Sequence, residues 1–70
     1  MENKLLVQDI LRLDIPEMVI NKLNENSITK IGELCTQGKT ELKNMGISMN
    51  DANKIEIELE LMGLKLKNSL

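Results

Sequence analysis

The most informative part of this 70-residue sequence is Leu42-Lys-Asn-Met-Gly-Ile-Ser-Met-Asn-Asp-Ala-Asn-Lys-Ile55. It predicts the end of one helix, a tight turn at Gly46-Ile47-Ser48 and the beginning of a second helix. Glycine adopts a positive φ at little steric cost, so Gly46 suits the turn. Ala52 and Ile55 follow at helical spacing. We therefore expect two helices packed around the turn, with Ile47 buried between them.

This pattern is typical of a helix-hairpin-helix motif, here covering about residues 39–62. Such a hairpin presents backbone N–H groups and a helix N-terminus to a phosphate. The usual hairpin sequence is Gly-x-Gly, and Ser48 stands where the second glycine is expected. Ser48 and Asp51 also fit an acidic version of a capping box at the start of the second helix. That second interpretation needs no ligand.

Around the hairpin the sequence predicts one domain, residues 1–70, of the all-α class with five short helices and no strand, because no apolar-polar alternation is sustained. A first amphipathic segment covers about residues 3–11. Pro16 suits the first turn of the second helix, where its missing N–H costs nothing. The third helix begins near Thr29, the fourth is capped by Gly38, and the last runs from about residue 49 to 62 and ends at Gly63.

The last helix has two apolar edges. Its main stripe places Ala52, Ile55, Leu59 and Met62 at spacings of three and four, as expected for a face packed on a core. A second edge continues past the end of the helix and consists of Ile57, Leu61, Leu64 and Leu66. We expect the first amphipathic segment to cover this second edge.

The composition argues against an enzyme. The sequence has no His, Phe, Tyr or Trp, so it lacks imidazole acid–base chemistry, His-ligated zinc and aromatic stacking on bases. No Gly-rich phosphate loop occurs. The carboxylates Glu56, Glu58 and Glu60 alternate around a helix, which indicates a solvated face. We expect no catalytic residues, no cofactor and no metal.

The expected location is the cytoplasm. Residues Met1-Glu-Asn-Lys4 are polar, which predicts no signal peptide. No apolar run approaches the ~20 residues of a membrane span, so no membrane partner is expected. Cys35 is the only cysteine and cannot form an internal disulfide, which favours a reducing compartment.

Three further blocks carry a family resemblance. In order they are Ile10-Leu-Arg-Leu-Asp-Ile15, Ser27-Ile-Thr-Lys-Ile-Gly-Glu-Leu34 and Leu59-Glu-Leu-Met-Gly-Leu-Lys-Leu66. With the hairpin, they resemble the C-terminal domain of the bacterial RNA polymerase alpha subunit over roughly residues 10–66. The sterile alpha motif (SAM) family shares the broad architecture and is the structural alternative. Either resemblance implies a compact five-helix, SAM-domain-like fold containing a helix-hairpin-helix.

The polymerase resemblance implies a domain that binds the minor groove of A/T-rich DNA and contacts activators and sigma factor. The arginine with which that family enters the groove falls on Met18. The family's asparagine is kept as Asn21, and Lys22 follows it. Narrow minor grooves attract cations, so replacing the arginine by methionine removes the main attractive side chain.

The same resemblance maps the hairpin. The phosphate-approaching glycine falls on Ser48, a lysine on Asn50, a serine on Asp51 and a glutamate on Lys54. Asp51 at a helix start repels the phosphate that the helix terminus would otherwise attract. The net charge of −2 and the pI near 5.0 also differ from the pI above ~9 of typical nucleic-acid-binding domains. The candidates for weak DNA contacts are Asn21, Lys22, Ser48, Asn50 and Lys54.

The candidate partner-binding residues are Asp14, Met18 and Met49, and Asn21 with Val19 or Ile20 is expected to complete the surface around the two methionines. The resemblance implies that Asp14 keeps the acidic residue through which the family meets sigma factor. Met18 and Met49 both replace basic residues and are expected to lie close together. Exposed methionines suit adaptable protein interfaces, and the alternative is that both turn into the core. The expected partners are RNA polymerase, sigma factor or a transcription regulator, with A/T-rich DNA bound weakly.

Two functions therefore stay open. The first is a transcription-associated binding module with weak or degenerate DNA binding. The second is a protein–protein interaction module of the SAM-like type, in which a homodimer is possible and DNA binding is lost. Neither function involves catalysis.

Overall fold

The computed structural model describes residues 4–67, and its fold is all-α. Two 3-10 turns, Lys4–Val7 and Ile10–Arg12, precede four α-helices: α1 Glu17–Glu25, α2 Ile31–Cys35, α3 Lys39–Asn44 and α4 Met49–Leu61. Residues 4–67 contain no strand, and a lone antiparallel bridge joins Asp9 to Lys30. The predicted all-α class is confirmed, whereas the predicted count of five helices is wrong.

The missing helix is the first amphipathic segment, predicted over about residues 3–11, of which residue 3 lies outside the described residues. Its backbone bonds to a distant part of the chain. The Ile10 N–H donates to the Thr29 carbonyl at 3.0 Å, and the Ile31 N–H donates to the Gln8 carbonyl at 2.9 Å. These groups are then not available for the bonds of a continuous α-helix. The segment becomes two short turns.

The first segment also packs elsewhere than expected. Its first turn lies on α2, where the Leu6 carbonyl oxygen is 2.9 Å from the position that a Cβ on Gly32 would take. Ile57 and Leu61 of the second apolar edge therefore stay uncovered, with 53% and 77% of their surface exposed. Leu66 of the same edge is buried. The prediction that the first segment covers this edge is wrong.

The same backbone motif ends α1, α3 and α4. An N–H just beyond each helix donates back to a leucine carbonyl five residues earlier: Ile28 to Leu23 at 2.9 Å, Ile47 to Leu42 at 3.1 Å, and Leu64 to Leu59 at 2.8 Å. This is the Schellman motif, which satisfies carbonyl groups that a helix end leaves unpaired. The three leucines are fully buried, so each helix ends where its chain turns back onto the core.

The motif requires a left-handed residue just before the returning N–H. Gly46 and Gly63 have φ of +89° and +78°, as their positions in the sequence predict. In α1 the position is held by Ser27, with φ of +64°. The sequence does not predict this conformation at Ser27, because serine carries no signal for a positive φ.

The buried side chains form one core. It contains Ile10, Leu13, Val19, Ile20, Leu23, Ile28, Ile31, Leu34, Leu42, Ile47, Ala52, Ile55, Leu59 and Leu66. Ile47 is 3% exposed, so the predicted burial of the hairpin isoleucine is confirmed. Outside this core, Lys39 links α3 to α4. Its Nζ lies 3.0 Å from Glu56 Oε1 and 2.8 Å from Asn53 Oδ1.

Replacing Ile47 by alanine is expected to destabilise the domain by about 2–5 kcal/mol, because it removes buried methyl groups and leaves a cavity. The matched control is Ile57→Ala on the exposed side of α4, which we expect to change stability by less than about 0.5 kcal/mol. Urea denaturation followed by circular dichroism measures both. Equal losses in the two variants would contradict the placement of Ile47.

Ser27→Gly is expected to stabilise the domain by about 0.5–1 kcal/mol, because glycine adopts the left-handed conformation without a steric penalty. The reverse change at the equivalent site, Gly63→Ala, is expected to destabilise it by about 1 kcal/mol. A Cβ on Gly63 would meet no neighbouring atom within 4 Å. The loss of stability would therefore come from the backbone conformation and not from a steric clash. Thermal melting measures the stability of both variants. If Ser27→Gly destabilised the domain, the positive φ at this position would not be a source of strain.

Candidate binding surface

Helix α1 presents the first group of candidate residues. Its core-facing stripe is Val19, Ile20 and Leu23, so the prediction that Val19 or Ile20 belongs to the partner surface is wrong. Met18 and Asn21 lie on the outside. Met18 is 65% exposed, and Met49 at the start of α4 is 45% exposed. The alternative in which both methionines turn into the core is therefore wrong.

Lys22 is half-buried and binds the hairpin. Its Nζ donates to the Gly46 carbonyl oxygen at 2.6 Å, just beyond the end of α3. A cation is favourable there because the carbonyl end of a helix carries partial negative charge. A Cβ on Gly46 would lie 3.1 Å from Lys22 Nζ, so Gly46 also permits this close approach. The ammonium group predicted to contact DNA is therefore directed at the domain's own backbone.

The N-terminus of α4 carries its own cap. Ser48 Oγ accepts a hydrogen bond from the Asp51 N–H at 3.2 Å, which confirms the predicted role of Ser48 as a capping residue. Asp51 lies in the first turn of α4, where its negative charge suits the helix dipole. Asn50 is exposed beside it. An anion approaching this terminus meets a carboxylate and a hydroxyl that already accepts a backbone N–H.

Lys54 and Asp14 form a second link to the hairpin helices, at the opposite end of α1, because Asp14 precedes that helix. Lys54 Nζ lies 3.9 Å from Asp14 Oδ2, with both side chains exposed. The Asp14 N–H donates to Glu58 Oε1 at 3.1 Å. An exposed ion pair contributes little to stability. It does place the Lys54 charge beside a carboxylate, which weakens its attraction for phosphate.

The candidate residues thus lie around two contacts, Lys22 with Gly46 and Asp14 with Lys54. Met18 stands midway, four residues from both Asp14 and Lys22, and shares a helix face with Lys22. Met49 follows Gly46 by three residues. Met18 therefore lies one helical turn from Lys22, Met49 is near Gly46 in sequence, and the proximity of the two methionines in space stays a prediction. No local signal predicts the Lys22–Gly46 contact, because its partners are 24 residues apart in sequence.

The titratable groups with shifted pKa values lie elsewhere and serve the fold. Hydrogen bonds from the Thr29 and Lys30 backbone N–H groups lower the pKa of Glu33. The pKa of Glu41 is lowered by its own backbone N–H and by that of Gly38, at the start of α3. Burial raises the pKa of the Cys35 thiol.

Two further classes of site find no support in the part of the chain described. Among residues 4–67, no group of three His, Cys, Asp or Glu side chains could hold a metal ion. None of the helices in this range has the length and apolar character needed to span a membrane.

Comparison with known proteins gives no match: no protein-family model matches the sequence, and no curated protein matches it. The resemblance to the polymerase alpha domain therefore depends on the sequence blocks quoted above. It remains a prediction.

Lys22→Met is expected to destabilise the domain by about 1 kcal/mol, because it keeps most of the aliphatic stem and removes a charged hydrogen bond to Gly46. The matched control is Lys54→Met, whose exposed ion pair is worth at most about 0.5 kcal/mol. Chemical denaturation at low and high salt compares the two. A larger loss for Lys54→Met would contradict the assignment of Lys22 to the hairpin.

Proposed function

We propose that this chain is a non-catalytic, transcription-associated binding module of the type that its resemblance to the polymerase alpha C-terminal domain implies. It contacts a protein of the transcription machinery through the surface around Met18 and Met49, and it binds A/T-rich DNA only weakly. One observation about this helix face carries the proposal. Its methionine, Met18, is exposed, whereas the ammonium group of its lysine, Lys22, is bound to the Gly46 carbonyl.

Weak DNA binding is supported by the partners that the two candidate lysines have within the domain. Lys22 donates to Gly46, and Lys54 lies beside Asp14. Asp51 occupies the first turn of α4, where a phosphate would otherwise be attracted. Binding phosphate would mean breaking the Lys22 contact and approaching the Asp51 carboxylate. Both steps add a free-energy cost that the counterion release driving nucleic-acid binding must exceed.

Protein binding is supported by the methionines. Exposed flexible thioethers adapt to varied partner surfaces, and burial of an apolar side chain of this size contributes about 1.5–3 kcal/mol before the costs of association. Asp14 remains exposed beside this surface and offers a carboxylate to a basic partner. RNA polymerase, sigma factor or a transcription regulator is the partner class that the resemblance implies.

The second candidate is a SAM-like protein-interaction module without DNA binding. It is favoured by the same engagement of Lys22 and Lys54, and by the exposed apolar side chains outside the methionine surface, such as Leu61. In this case the domain binds protein, including a second copy of itself, and no duplex binds at any salt concentration.

The DNA part is tested by restoring charge. Met18→Arg with Asp51→Ser is expected to tighten binding to an A/T-rich duplex, and each phosphate newly contacted steepens the salt dependence by about 0.9 units. Met18→Gln with Asp51→Asn is the matched control, since it removes the carboxylate without adding a cation. Fluorescence anisotropy at two salt concentrations measures binding. An unmodified chain with Kd of ~10⁻⁸ M at physiological salt would contradict weak binding.

The protein part is tested with Met18→Lys combined with Met49→Lys. Because both side chains are exposed, we expect a stability change below about 0.5 kcal/mol and loss of binding to purified bacterial RNA polymerase holoenzyme or to free sigma factor. Leu61→Lys is the control for an exposed apolar residue outside this surface. Failure of the unmodified chain to bind either protein would favour the second candidate.

A further inference from the structure

Two pairs of large apolar side chains are exposed away from Met18 and Met49. The entry patch is formed by Val7 and Leu11, which are 65% and 68% exposed. The α4 patch is formed by Ile57 and Leu61, whose exposure is given above. Each pair has a spacing of four residues. Single exposed apolar residues are ordinary, but paired ones form a surface that can bind a partner.

The members of the α4 pair are neighbours in space. On α4, residues four apart share one face, and this face is opposite to the buried stripe of Ala52, Ile55 and Leu59. In the entry segment, Arg12 Nη1 donates to Gln8 Oε1 at 3.3 Å. Val7 and Leu11 directly precede these two residues in sequence and lie in the two successive 3-10 turns.

The two patches differ in charge. Helix α4 carries four carboxylates and one lysine, a formal charge of −3, and Glu60 is exposed beside the α4 patch. Residues 4–12 carry Lys4 and Arg12 against Asp9, a formal charge of +1. Asp9 Oδ1 accepts the Leu11 N–H at 2.9 Å, so its carboxylate is held against the backbone.

We propose that the α4 patch of one molecule binds the entry patch of a second copy of this chain. The apolar pairs have the same spacing, and the basic residues Lys4 and Arg12 of one copy then face Glu60 of the other. The alternative, in which two α4 patches meet across a two-fold axis, brings Glu58 and Glu60 of both copies together and is opposed by like-charge repulsion.

Contact between two different surfaces has a structural consequence. It is heterologous, so it repeats from copy to copy in a head-to-tail chain instead of closing as a dimer. Four apolar side chains cover less than the ~1,200 Å² typical of specific interfaces. The association is therefore weak and is populated only at high protein concentration. It uses neither methionine, so its failure leaves the proposed transcription-partner surface untouched, whereas its success would deepen the second candidate function.

The test uses one variant for each patch. By sedimentation velocity, the unmodified chain is expected to grow beyond a dimer between about 10 µM and about 1 mM. Leu11→Asp and Leu61→Asp are each expected to stay monomeric over this range. An equimolar mixture of the two is expected to form a 1:1 dimer, because one intact patch remains on each molecule. Both side chains are exposed, so circular dichroism should show unchanged melting.

A charge exchange provides the second measurement if either aspartate variant fails to fold. Arg12→Glu and Glu60→Lys are each expected to weaken association about tenfold, and a single chain carrying both changes is expected to regain it. The proposal is overturned if the unmodified chain stays monomeric at about 1 mM, if it stops at a dimer, or if the mixed aspartate variants remain monomeric while folded.

Discussion

The fold depends on a hydrogen bond made three times, from an N–H just past a helix to the carbonyl of a buried leucine five residues earlier. Leu23, Leu42 and Leu59 each accept this bond at 2.8–3.1 Å. A chain of this size buries only ~60% of its unfolded surface and here has no aromatic side chain. Ending helices at core leucines matters in such a chain, because one position then satisfies the backbone and directs the next residue inward.

The hairpin shows how this constraint reaches the candidate binding surface. The left-handed conformation of Gly46 ends α3, buries Ile47 and presents the Gly46 carbonyl to Lys22. The same glycine leaves room for the lysine, because a Cβ there would lie 3.1 Å from Nζ. The ammonium group of Lys22 is thus held by the backbone of the hairpin itself. This is the physical basis for proposing a protein partner ahead of DNA.

The exposed apolar face of α4 results from the position of the first segment. Because the backbone of residues 8–10 pairs with residues 29–31, the first segment lies on α2 and does not reach Ile57 and Leu61. One long-range pairing therefore removes a predicted helix and exposes an apolar face of α4. The α4 patch shares no residue with the candidate pair Met18 and Met49.

The sequence alone determined the features whose causes lie within a few residues. These include the all-α class, the hairpin with a buried Ile47, the left-handed Gly46 and Gly63, and the capping by Ser48, because periodicity, glycine and caps act locally. The identity of the candidate site residues also came from sequence, through a resemblance. Only the tertiary structure decided the two 3-10 turns, the Lys22–Gly46 contact and the exposure of Met18, Ile57 and Leu61. Each of these depends on groups brought together from distant parts of the chain, and no short-range pattern encodes such a pairing.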